Sequence, residues 1–146
     1  MTGKIVAFGL FGFPLIFGAA LYYFQYYYYY TDVTDITSIT VQERVIDVED
    51  YVGIDATSSN LKMRGCFRVD TADFEGLELT DAATPLTPPP WFDCYDAERI
   101  TLDLQAGAAV AYLAKKEEKD GMDLMVAVYP DGRAYQWRQL NDKYQE

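Results

Sequence analysis

The stretch DLMVAVYPDGRAYQWRQL, Asp123–Leu140, decides how most of this chain folds. Two β-rich runs flank Pro130-Asp131-Gly132, and each turn residue has a physical role. Proline presets φ, aspartate bonds nearby backbone, and glycine accepts a positive φ. An antiparallel hairpin is predicted. Moving toward the amino terminus, AAVAYLAKK (Ala108–Lys116) reads as a further strand. Before it, DCYDAERITLDLQAG places Asp96 as the N-cap of a short helix ending near Gly107. Ile100 and Leu104 then share one face, with Ala97 a turn earlier. PLTPPPWF (Pro85–Phe92) cannot be a helix interior and reads as an extended, polyproline-like loop. LKMRGCFRV (Leu61–Val69) sets Leu61, Met63, Cys66 or Phe67, and Val69 against Lys62, Arg64 and Arg68. Gly65 breaks that period, which points to a bulge or a close backbone approach. TSITVQERVI (Thr37–Ile46) is β-rich, with a polar–apolar alternation in its first half. The expected class is α+β, with a mainly antiparallel sheet and one short helix.

The amino-terminal segment has a different character. No charged side chain occurs from Ile5 to Thr31, and Ile5–Phe24 (IVAFGLFGFPLIFGAALYYF) is continuously apolar. As a helix, those 20 residues span ~30 Å, the thickness of a hydrocarbon core. Tyrosines Tyr22, Tyr23, Tyr26, Tyr27, Tyr28, Tyr29 and Tyr30 begin where that thickness ends. Consecutive rings point all round a helix, so they are expected to form a collar at a membrane–water interface. The division expected is residues 1–31 as a transmembrane anchor and residues 32–146 as the exposed domain. Lys4 precedes the span, and Asp32 and Asp35 follow it. Positive charge stays cytoplasmic, so the carboxy-terminal domain is expected outside, in the periplasm if the cell is bacterial. A signal peptide cleaved near Gly18–Ala20 is the alternative, but the apolar run continues past that point. Gly9, Gly12 and Gly18 leave little bulk along the span, and Pro14 interrupts one backbone bond. Both features suit packing against a neighbouring helix in a larger membrane assembly.

Half of the 146 residues are apolar and a quarter charged, a globular composition. The net charge is −11, which disfavours nucleic acid as a partner. The chain holds no histidine, so it lacks the commonest general base and metal ligand. No P-loop, dinucleotide fingerprint or nucleophile elbow is present, and neither a cofactor nor enzyme activity is expected. Carboxylate pairs such as Asp93/Asp96 and Asp120/Asp123 are abundant, but spacing alone does not separate a catalytic pair from a solvated acidic surface. EKDGMD (Glu118–Asp123) lacks the ligand spacing of a calcium loop. Cys66 and Cys94 are the only cysteines. In an exported domain such a lone pair reads as a disulfide, worth ~3.5 kcal/mol by loop entropy. Free thiols and a redox pair are the alternatives. Trp91, Phe92, Tyr95, Tyr135 and Trp137 read mainly as packing, with Trp91 and Phe92 in PPPWF as candidates for a partner surface.

With GKIV and GAALYY (Gly3–Tyr23), GCFRV (Gly65–Val69), PLTPPPWFDCYDA (Pro85–Ala97) and AVYPDGRAYQW (Ala127–Trp137), the chain resembles a small family of single-pass proteins from alphaproteobacteria, known as a domain of unknown function. Members sometimes carry a histidine-kinase label, which a chain without histidine contradicts. The resemblance implies an inner-membrane setting. Together with the span and the absent catalytic motifs, it leads to an expected role as a non-catalytic accessory subunit of an integral membrane protein complex in the lipid bilayer, respiratory or photosynthetic. Its acidic domain would attract a basic carrier of the cytochrome c type. A free-standing assembly factor or envelope sensor is the alternative.

Overall fold

The computed structural model describes residues 2–24, 30–56 and 59–141. The chain divides into two units, residues 1–30 and 31–146. The first holds helix α1 (Thr2–Tyr23), 22 residues long with Pro14 inside it. Its length of ~33 Å and its composition suffice to cross a membrane. None of its residues is buried, and a Cβ built on Gly9, Gly12 or Gly18 meets no atom within 4 Å.

The second unit is built on a six-stranded sheet. Its strands are β1 (Tyr30–Val33), β4 (Glu49–Ala56), β5 (Arg64–Arg68), β6 (Val110–Lys119), β7 (Met122–Val128) and β8 (Arg133–Leu140), in the spatial order β1-β4-β5-β8-β7-β6. The pairs β4–β5, β5–β8, β7–β8 and β6–β7 are all antiparallel. A separate antiparallel hairpin joins β2 (Ser38–Val41) to β3 (Arg44–Asp47). Helix α2 (Ala97–Ala106) sits between β5 and β6 in the chain. Asp96 caps it by accepting from Arg99 N–H, and Gly107 closes it at φ 78°. The α+β class, the hairpin and both helix boundaries match the sequence.

The hairpin turn takes the form its residues dictate. Tyr129 C=O accepts from Gly132 N–H at 3.0 Å while Tyr129 N–H donates to Arg133 C=O at 2.8 Å. Pro130 and Asp131 fill the two central positions and Gly132 follows at φ 93°, a type I turn closed by a left-handed residue. A Cβ there would lie 2.7 Å from Val69 O, so glycine is required twice over.

Period-two alternation gives the sheet two apolar faces. Phe67, Leu124, Val126, Val128 and Ala134 join Val41, Ile46 and Phe74 in one core, beneath the β2–β3 hairpin. The opposite face carries Cys66, Tyr135 and Trp137, the last fully buried. Tyr95 lies edge-on to Trp137 at 6.3 Å and to Tyr135 at 5.9 Å.

Two sequence readings take a definite form. The β-rich Thr37–Ile46 stretch holds a tight hairpin, turning at Gln42 (φ 51°) and Glu43 (φ 71°). No turn-forming residue announces it; distant contacts hold it instead. Gln42 Nε2 donates to Glu78 O at 2.8 Å, its Oε1 accepts from Glu78 N–H at 3.0 Å, and its own N–H donates to Ala114 O at 2.8 Å. At Gly65 there is close approach and no bulge. The β4–β5 register shift falls between Glu49 and Val52. Gly65 faces Gly53, and the Tyr51 ring lies over both, 2.6 Å and 2.5 Å from where their Cβ atoms would stand.

Candidate functional site

A strap from Ala82 to Tyr95 covers the Trp137 face, and three devices hold it. Cys66 on β5 and Cys94 form a disulfide, with Cα atoms 6.3 Å apart. Arg64 is buried and donates through Nε to Leu86 O at 2.9 Å and through a terminal nitrogen to Thr87 O at 3.3 Å. Prolines cannot donate, so a strap rich in them offers carbonyls, and a guanidinium with five donors is the matching side chain. Gln139 supplies the third. Its Oε1 accepts from Thr84 N–H at 2.6 Å and from Trp137 Nε1 at 3.0 Å, while Nε2 donates to Ala82 O at 2.8 Å. Burial raises the pKa of Tyr95.

A cluster of acids lies elsewhere on the domain. Asp47, Glu49, Asp70, Asp73 and Asp131 line a basin of about 440 Å³ around Arg68, and all five acids are exposed. Strand ends and turns bring them together: Glu49 pairs with Arg68 across β4–β5, and Asp70 caps the 3-10 turn Thr71–Phe74. Asp131 accepts from Arg133 N–H at 3.1 Å and from Arg133 Nε at 2.8 Å. The backbone bond, then the guanidinium, holds its carboxyl below the usual value of 3.8. Arg68 donates to Asp131 O at 3.2 Å. Such a basin attracts basic surfaces by long-range steering. Among the described residues no three acids or cysteines, those of the basin included, stand close enough together to hold a metal ion.

The residues singled out from the sequence fall in several places. Tyr22 and Tyr23 close α1, about half exposed at 49% and 53%, and Tyr30 opens β1. Tyr26, Tyr27, Tyr28 and Tyr29 lie outside the described residues. Phe92 is not a surface group: it is 6% exposed, folded inward beneath the strap. Trp91 is half-buried, edge-on to Phe92 at 6.3 Å. One chain turn therefore splits the PPPWF pair, sending only its first ring outward. Arg64, grouped with exposed Arg68 by alternation, is buried because its carbonyl partners arrive from 22 and 23 residues away. Two features lacked a local signal: β4, whose acids mask its pattern, and the basin, whose five acids come from separate elements.

The profile of one family, described as a family of unknown function (DUF6446), matches residues 33–146. No curated protein matches the chain. No solved structure matches it either.

Proposed function

The chain belongs to this family of unknown function, and from that premise we propose that it is a non-catalytic accessory subunit of a larger inner-membrane complex. The host is a respiratory or photosynthetic electron-transfer complex of an alphaproteobacterium. The amino terminus is cytoplasmic, α1 is a single-pass anchor, and the acidic domain is periplasmic. One observation carries the reading: a 22-residue helix whose only charged side chain is Lys4 buries none of its residues, while the domain after it completes its own core on both sheet faces. A helix of that character needs lipid or another helix as its surroundings.

The acidic domain supports the partner. Residues 32–146 carry 11 basic and 23 acidic side chains, and the Asp47–Asp131 basin concentrates part of that charge. A basic soluble carrier such as a cytochrome c would be steered there, with association weakening as salt screens it. The test is gentle solubilisation of native membranes, capture on a carboxy-terminal tag, then a native gel and mass spectrometry. Stoichiometric recovery with a bioenergetic complex, surviving high salt, supports the subunit reading. Recovery alone, or with scattered substoichiometric proteins, defeats it and turns attention to a free-standing assembly factor or envelope sensor.

A further inference from the structure

A second concavity lies under the end of the strap, independent of the helix and of the acidic basin. It has a volume of about 590 Å³, within the range of small-ligand sites. Leu113 and Met125 form its floor, Ala82 and Thr84 one wall, Asp123 and Asn141 its polar end, and Lys116 is part of its lining.

Asp123 decides what the cleft can hold. It is 8% exposed, and its second oxygen, Oδ2, keeps what contact with water the residue has, since Tyr95 Oη and not Oδ2 is the fully buried unpaired atom among the described residues. One oxygen, Oδ1, is satisfied twice, accepting from Glu117 N–H and Asn141 Nδ2 at 2.9 Å each. The other, Oδ2, accepts no hydrogen bond among the described residues. Asp123 also forms no ion pair there, whereas the half-buried Glu118 is matched by Arg138 at 2.7 Å and Asp103 by Arg99 at 3.3 Å. A buried carboxylate is costly unless a cation or donor meets it.

We infer that this cleft binds a monocation, an ammonium group on a short apolar stem, with Oδ2 of Asp123 accepting from the ammonium and the Leu113–Met125 floor covering the stem. An anion is repelled by Asp123. A divalent metal lacks ligands, since only Glu117 and Asp123 are acids here and Lys116 is in the lining. Lysine side chains of a partner and free alkylamines share this chemistry.

The test uses the full chain in lipid nanodiscs with methyl-labelled methionine and leucine, followed by NMR. The probes are Nα-acetyl-lysine methylamide and propylammonium, with Nα-acetyl-norleucine methylamide as the neutral control. Saturable shifts at Met125 and Leu113 are expected with an amine and not with the norleucine compound. Binding of the lysine probe alone identifies a peptide side chain, and equal binding of propylammonium identifies a free amine. Asp123→Asn keeps an Oδ1 acceptor for Glu117 and Asn141 but removes the charge, and it should weaken binding about tenfold. Lys116→Gln, at an exposed position, should tighten binding about twofold by removing a competing charge. Equal shifts with norleucine, no saturable shift with either amine, or unchanged affinity in Asp123→Asn overturn the assignment. Should Asp123→Asn not fold, Lys116→Gln decides: unchanged or weaker affinity is the contrary result.

Discussion

Helix α1 and the sheet domain solve the same problem in opposite ways. Both are rich in large apolar side chains. The domain folds its own away, with Trp137, Val126 and Ala134 wholly buried. The helix keeps Phe8 at 79%, Phe11 at 75% and Leu15 at 74% exposure. The difference teaches that burial in the domain is specified by its own residues, whereas burial of the helix must be supplied from outside. Changes in the domain should therefore register as lost folding stability, and changes along the helix should leave that stability untouched.

The largest effect is expected at the centre of the domain. Trp137→Ala removes a fully buried ring and should cost about 3–5 kcal/mol, read from urea unfolding of the full chain in mild detergent. Phe8→Ala, on the helix, should leave the same transition where it was; a comparable loss there would break the contrast. Next comes the strap. Replacing Cys66 and Cys94 together by alanine should cost ~3.5 kcal/mol by loop entropy, with tryptophan fluorescence reporting loosening around Trp137 before the sheet unfolds. Gly65→Ala should cost about 1–3 kcal/mol, because the new methyl would stand 2.6 Å from the Tyr51 hydroxyl. Tyr51→Phe in the same background should recover little, since the ring, 2.9 Å away at its nearest carbon, remains.

The smallest effect concerns pH. The folded pKa of Asp131 lies below the ordinary 3.8, first through the Arg133 N–H. A depressed carboxyl contributes stability above the unfolded value, and that contribution disappears as pH falls through the folded value. The urea midpoint of the native chain should therefore decline from pH 5 to pH 3 slightly more than that of Asp131→Asn, the two converging at the acidic end. Parallel curves would remove Asp131 from the turn's acid response.

The parts of the fold legible in the sequence are those whose causes are local. Asp96, Gly107 and the Pro130-Asp131-Gly132 turn each act within a few residues, so reading them required no knowledge of the sheet. The parts that were not legible depend on partners far along the chain. Gln42 turns the β2–β3 hairpin by pairing with Glu78, 36 residues away. Arg64 is buried only because Leu86 and Thr87 present carbonyls to it. Phe92 is interior because the disulfide and Gln139 hold the strap down. The candidate sites follow the same division. The span announces itself by composition, whereas the acidic basin and the Asp123 cleft exist only once strand ends, turns and strap converge.

The measurement that tests the central contrast most directly is alkaline carbonate extraction of membranes from cells expressing the full chain, with a control chain in which Met1 is followed directly by residues 32–146. The expected result is that the full chain stays with the membrane pellet while the shortened one is released in soluble form. Release of the full chain by carbonate would contradict a bilayer as the surroundings of α1, and with it the anchored-subunit reading.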